Sequence, residues 1–148
     1  MDNTTIPQCS IRGHICYYTQ RVYFSDTDAG GIVYHSTYLD ITEHARTELL
    51  RLLGQELGTE LREERVGFVV KSISLDYHRP ALLDDLLVVE TIIKKCERFS
   101  LLLEQRVKRS DTLLVTQITK VGYMRHDTLK PLPIPEALRA SFLNVMAD

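Results

Sequence analysis

The run Ser25–Leu52 reads SDTDAGGIVYHSTYLDITEHARTELLRL, and its two halves obey different patterns. In the second half Tyr38, Ile41, Ala45, Leu49 and Leu52 recur at three- and four-residue spacing, which predicts a long amphipathic helix. Ser36 and Thr37 are suited to cap its start, and Gly54 to stop it. Glu48 and Arg51, three apart, are placed to pair on its solvent side. The first half holds Asp26 and Asp28, then the adjacent Gly30 and Gly31, which let the backbone turn tightly and approach a ligand closely. The loop opens directly onto the helix, whose first N–H groups and positive dipole end suit an oxygen carrying negative charge. A carboxylate there could attack, or activate water against, a carbonyl polarised by those N–H groups. The alternative is an Asx-rich turn that only caps the helix.

Upstream, Met1–His14 read as a loose leader, and Ile15–Phe24 as a first strand rich in aromatic and β-branched residues. Downstream, Gln55–Arg65 form a short charged helix and loop. Four strand candidates follow: Phe68–Tyr77, closed by Pro80; Leu86–Lys95; Ser100–Lys108; and Thr112–Arg125. In the third, Leu101, Leu103, Gln105 and Val107 alternate with Leu102, Glu104, Arg106 and Lys108. Three prolines between Lys130 and Pro135 end the sheet, and Pro135-Glu136 start a final helix through Met146. One long helix against five mainly antiparallel strands is a two-layer α+β design. Such a sheet leaves a face and edges needing cover, so an oligomer is expected.

With 148 residues, 44% hydrophobic and 26% charged, the chain fits one ordinary domain, taken as 15–148 behind a leader of 1–14. A net charge of −2 offers no basic stripe for nucleic acid. Cys9, Cys16 and Cys96 are too few and scattered for a disulfide framework, so a reducing, cytoplasmic setting is expected. Met1–Ser10 lack the basic and apolar regions of a signal peptide, and no apolar run approaches the ~20 residues of a membrane span. Peripheral membrane association stays open.

Four segments carry a resemblance along most of the chain. They are Arg21–His35 followed by Tyr38; Glu43-x-Ala45-Arg46-Thr47-Glu48; Phe68-Val69-Val70 followed by Pro80-Ala81 and Asp84-Asp85; and Lys130-Pro131. In these the chain resembles the hot-dog-fold thioesterases of the 4-hydroxybenzoyl-CoA thioesterase group, and more closely the acyl-CoA thioesterases of the bacterial Tol-Pal gene cluster. The resemblance implies a sheet wrapped around a central helix and hydrolysis of acyl-CoA without metal or redox cofactor. It implies Asp28 as the catalytic carboxylate, nucleophile or general base, with the oxyanion held by the backbone N–H near His35 and by Gly31. Tyr34 and Tyr38 are implied substrate contacts, and Phe68, Val69 and Val70 resemble the segment that lines the acyl pocket from a neighbouring subunit. Lys94, Lys95 and Arg98 are candidates for the phosphates of coenzyme A, or for simple surface charge.

Asp26 reads as a residue that holds the loop, though two carboxylates held close would also raise one pKa. Glu43, His44 and Arg46 read as a solvated helix face, with Glu43 alternatively facing the site or a subunit contact. His35 and His44 suggest no metal cluster, because nine helical residues put them on opposite faces. Ser25 and His44 depart from the residues common in relatives, which bears on substrate preference. A homotetramer of two dimers is expected, with acyl carrier protein as a further partner or substrate carrier. The rival class is a binding or scaffold protein for acyl-CoA or acyl carrier protein, associated with phospholipid synthesis or the cell envelope.

Overall fold

The computed structural model describes residues 9–146. The elements run β1 (Cys9–Arg12), β2 (Ile15–Arg21), α1 (Thr37–Leu52), α2 (Leu57–Thr59, continued as a π turn over Glu60–Glu64), β3 (Val66–Tyr77), β4 (Leu86–Cys96), β5 (Ser100–Arg109), β6 (Thr112–Arg125) and α3 (Glu136–Val145). All strands join one antiparallel sheet in the order β1-β2-β4-β5-β6-β3. After β2 the chain crosses the sheet through α1 to reach the far edge as β3, then returns to place β4 beside β2.

The sheet has six strands where the sequence suggests five. The extra one, β1, comes from the segment read as a leader. Gly13 has φ +62°, so Gly13-His14 close a two-residue hairpin that pairs Arg12 with Ile15. Cys9 and Cys16, unpaired in the sequence reading, form a disulfide diagonally across that hairpin, where Cys9 lies opposite Tyr18 and Cys16 opposite Ile11, with 6.7 Å between their Cα atoms; Cys96 is free. A single bridge within one hairpin is visible only once the strands are in register. Residues 1–8 of the leader lie outside the described residues.

The core lies between α1 and one face of the sheet. Tyr38, Ile41, Ala45 and Leu49 are buried, as the stripe requires, each larger side chain contributing roughly 1.5–3 kcal/mol. Leu52, on the same stripe, is exposed at the helix end. The inward strand residues include Leu101, Leu103, Gln105 and Val107 of β5, the alternation that the sequence displays. Phe142 of α3 closes one end against Phe68.

A polar layer crosses this apolar core. Thr42 Oγ1 donates to Gln117 Oε1 at 2.9 Å, and Gln117 donates to Thr119 at 2.8 Å. Gln105 Nε2 donates to the Thr42 carbonyl at 2.9 Å and to Thr91 at 3.1 Å, while Arg46 donates to Gln105 Oε1 at 3.0 Å. These bonds tie Thr42 and Arg46 of α1 to β5 and β6, and Gln105 in turn to β4, so directional contacts hold the helix over the sheet. Arg46 belongs to this layer with 9% exposure, which corrects its reading as a solvated residue. Burial lowers its pKa, with Glu43 opposing the shift.

Candidate active site

The chain reaches α1 through a loop built on its own hydrogen bonds. Asp26 Oδ2 accepts from Tyr23 N–H at 2.9 Å, and the Asp26 carbonyl accepts from Tyr34 N–H at 3.0 Å. Asp26 therefore holds the loop. Asp28 N–H donates to the Ile32 carbonyl at 2.8 Å, and the Asp28 carbonyl accepts from Gly31 N–H at 3.1 Å. This turn requires φ +82° at Gly31, a conformation that side chains disfavour. Asp28 Oδ1 accepts from Gly30 N–H at 2.8 Å, which leaves Oδ2 directed at no group among the described residues.

Ser36 occupies the N-cap position of α1 without a side-chain capping bond. Among the described residues His35 N–H has no hydrogen-bond acceptor. The His35 carbonyl is fixed instead, accepting from Tyr77 Oη at 2.8 Å. Tyr34 packs on the His35 ring at 4.4 Å between centroids. Tyr38 is 2% exposed, accepts from Ala81 N–H at 3.0 Å and meets Tyr77 edge-on at 5.7 Å. Burial raises its hydroxyl pKa above the ordinary value. Tyr38 thus anchors the helix start to the Ala81 loop.

These residues line one cleft of about 430 Å³, with Asp28, Tyr34, His35 and Tyr38 on one side and Tyr77, His78, Arg79 and Pro80 on the other. Asp28 is exposed in its mouth. The sequence reading missed the second wall. Tyr77 ends β3 and His78 and Arg79 follow it, with no spacing signal; the pairing of Tyr77 with Val115 brings them here.

Other candidates fall outside this cleft. Phe68 and Val70 line a separate groove of about 300 Å³ with Glu43, Arg46 and Thr47, at the opposite end of β3. Val69 borders neither. In that groove His126 Nε2 is buried without a partner, close against Gly67. Lys94 pairs with Glu104 at 3.8 Å, Lys95 with Glu97 at 4.0 Å, and Arg98 lies 5.2 Å over the Phe99 ring. Gly31 N–H is bonded within the loop, whereas His35 N–H is open to a ligand. His44 is bound to Gln20 on β2 at 3.0 Å, away from His35. Among the described residues no three His, Cys, Asp or Glu side chains converge to hold a metal ion, and no helix is long and apolar enough to cross a membrane.

The cleft therefore offers one oxygen of a carboxylate, a free N–H at a helix start, and walls of tyrosine and proline. That set suits attack on a polarised carbonyl. Comparison with known proteins points the same way. The profile of the Thioesterase-like superfamily matches residues 22–142. Acyl-CoA thioesterase YbgC of Haemophilus influenzae is 43% identical over 122 residues, covering 82% of this chain and 90% of that protein. Acyl-CoA thioester hydrolase YbgC of Escherichia coli O6:H1 is 40% identical over 126 residues, covering 82% and 91%. The crystal structure of a probable thioesterase from Bartonella henselae superposes with a TM-score of 0.74 at 31% identity, covering 82% of this chain and 99% of that one.

Proposed function

The chain belongs to the Thioesterase-like superfamily, and from that premise we propose that it hydrolyses acyl-CoA thioesters to the free acid and coenzyme A. The observation that carries this reading is the placement of Asp28 and the unbonded His35 N–H in one cleft at the start of α1. The thioester carbonyl oxygen accepts from His35 N–H, in the positive field of the helix end. Asp28 Oδ2 then acts in one of two ways. As nucleophile it bonds to the carbonyl carbon, the carbon–sulfur bond breaks, and coenzyme A leaves as thiolate and takes a proton from water. A second water hydrolyses the mixed anhydride and restores Asp28. As general base it takes a proton from water that attacks the same carbon; the carbon–sulfur bond then breaks, and the coenzyme A thiolate takes up that proton and restores Asp28. Acylated Asp28 accumulates only in the first route, which rapid-quench mass spectrometry reads. Neither route uses a metal or a redox cofactor.

The assembly proposed is a homo-oligomer formed through β3, with a tetramer as a pair of dimers. Strand β3 is a twelve-residue sheet edge, unpaired along its outer side. A second copy pairing antiparallel there sets the Val66 end of one protomer beside the Tyr77 end of the other. The groove of Phe68 and Val70 then adjoins the neighbour's Asp28 cleft and covers Asp28, which is exposed in the single chain. Acyl-CoA as substrate supports a cytoplasmic setting, with acyl carrier protein thioesters as further substrates.

The deciding experiment replaces Asp28 with Asn, which keeps size and the acceptor for Gly30 N–H. We expect kcat to fall at least about a hundredfold, with folding and assembly unchanged. His35→Ala, which leaves the backbone donor, should cost far less. Wild-type turnover by Asp28→Asn on every acyl-CoA tested would remove Asp28 from the chemistry and favour a scaffold that binds acyl thioesters.

A further inference from the structure

Strand β3 carries opposite charges just beyond its two ends. The π turn that leads into it holds Glu60, Glu63 and Glu64, and none of the three makes an ion pair among the described residues. Arg62, the cation inside the turn, folds back against Gly58, where a Cβ would lie 3.1 Å from its Nη1. Glu63 and Glu64 are exposed, while Glu60 is partly buried. Burial, then the like charges of Glu64 and Glu56, raise the Glu60 pKa, so the turn is under a repulsion that the single chain does not relieve. Beyond the other end of β3, His78 and Arg79 donate their backbone N–H groups to the Leu114 carbonyl at 2.8 and 3.1 Å. The His78 ring is engaged by Thr116 at 3.0 Å. Arg79 is exposed, lines the Asp28 cleft and makes no ion pair among the described residues. Arg109, which reaches the Pro80 carbonyl, is already taken by Asp85 at 2.6 Å.

Within one chain these charges cannot meet, because the twelve residues of β3 hold them roughly 40 Å apart at the rise of a strand. A second copy brings them together. Antiparallel pairing of β3 over its whole length sets Tyr77 beside Val66 of the partner subunit, and two residues further on Arg79 comes opposite Glu64 of the partner subunit. The two-fold axis makes the same contact twice. We propose that Glu64, with Glu63 beside it, docks on Arg79 of a second copy of this chain and seats the acidic turn on the rim of that copy's Asp28 cleft. The inference rests on the β3 oligomer proposed above and adds what closes the rim. Arg79 is then a positioning residue for the partner's turn, not an anchor for substrate. Leu57 and Leu61, on the same segment as the glutamates, line the Phe68 groove. Seating the turn therefore also fixes the apolar wall that adjoins the cleft. A charge pair on such a rim weakens as salt screens it.

Cross-linking tests the contact without turnover. In the full-length protein carrying Glu64→Cys and Arg79→Cys together, mild oxidation should yield covalent dimers. Neither single variant should, because like positions lie at opposite ends of the paired strands. A double variant that is dimeric yet does not cross-link overturns the proposal. Charge reversal supplies the second arm. In low salt, sedimentation should show Arg79→Glu and Glu64→Arg each dimerising at least about tenfold more weakly than wild type, and the combined swap should recover most of that loss. In high salt the differences should shrink. For acyl-CoA hydrolysis, kcat/KM should fall in each single variant and return in the swap. A swap as weak as the single variants overturns the proposal. So does a swap that dimerises like wild type but keeps the activity loss of Arg79→Glu, since Arg79 would then hold substrate. A monomeric wild type removes the β3 interface and this contact together. If the pair cross-links and the swap restores assembly yet no acyl-CoA is cleaved by wild type, the contact stands and the hydrolase reading falls.

Discussion

Tyr77 shows how much a single hydroxyl can contribute to a site it does not react in. Its Oη donates to the His35 carbonyl and its ring meets Tyr38, so one side chain ties the end of β3 to the start of α1. The peptide that it clamps is next to the one whose N–H is proposed to hold the oxyanion. Tyr77→Phe removes a hydrogen bond worth about 1 kcal/mol in stability. Its larger effect should be on the rate, because the donor loses its fixed direction. We expect kcat to fall several-fold at nearly constant KM. A pure stability loss with normal turnover would confine Tyr77 to structure. Asp26 and Asp28 illustrate the same division of labour. Two carboxylates two residues apart look alike in sequence, and each accepts one backbone N–H, Asp26 from Tyr23 and Asp28 from Gly30, yet only Asp28 lines the cleft.

The helix α1 is positioned by polar as well as apolar contacts. Its apolar stripe would tolerate small shifts along the sheet, whereas the bonds linking Arg46, Thr42, Gln105, Gln117 and Thr91 would not. The charge at the centre of this layer is costly. Arg46 is buried, and Gln105, its only hydrogen-bond acceptor among the described residues, is neutral. Gln105→Leu should therefore destabilise the protein by about 3 kcal/mol, because a guanidinium is left buried without an acceptor. Adding Arg46→Met should recover part of that loss, a coupling that denaturant titration of the two single variants and the double variant measures. Strict additivity would mean that the guanidinium finds another acceptor.

For the molecule as a whole, the open question of stability lies at the β3 edge. Twelve residues with Val70, Ile73 and Tyr77 exposed are a hazard for a monomer and an asset for a dimer. Light scattering should find at least a dimer at micromolar concentration. Mixed assemblies offer a sharper check. Asp28→Asn lacks the carboxylate, and Phe68→Asp spoils the distal groove, so each is expected to be nearly inactive alone. Co-refolding the two should restore part of the activity, since one interface of a mixed dimer pairs an intact cleft with an intact groove. No recovery would place the whole site within one protomer.

Local rules determined much of this protein from its sequence. The three- and four-residue spacing from Tyr38 to Leu49 specified α1, Gly54 (φ +88°) ends it, and Glu48–Arg51 pair at 2.6 Å. Strands β3 to β6 fall within two residues of their sequence-based limits, because alternation and turn residues are short-range signals. Asp28 and His35 stood out because a carboxylate, two glycines and a helix start are consecutive in the chain. What the sequence left open depends on contacts between distant segments. The strand β1 needed β2 as a partner. The burial of Arg46 needed Gln105, fifty-nine residues away, to accept its hydrogen bond. The cleft wall of Tyr77 to Pro80 arises from strand register, which pairs residues by sheet geometry rather than by proximity in the chain. Register is a property of the assembled sheet, so only the tertiary structure decides which side chains meet.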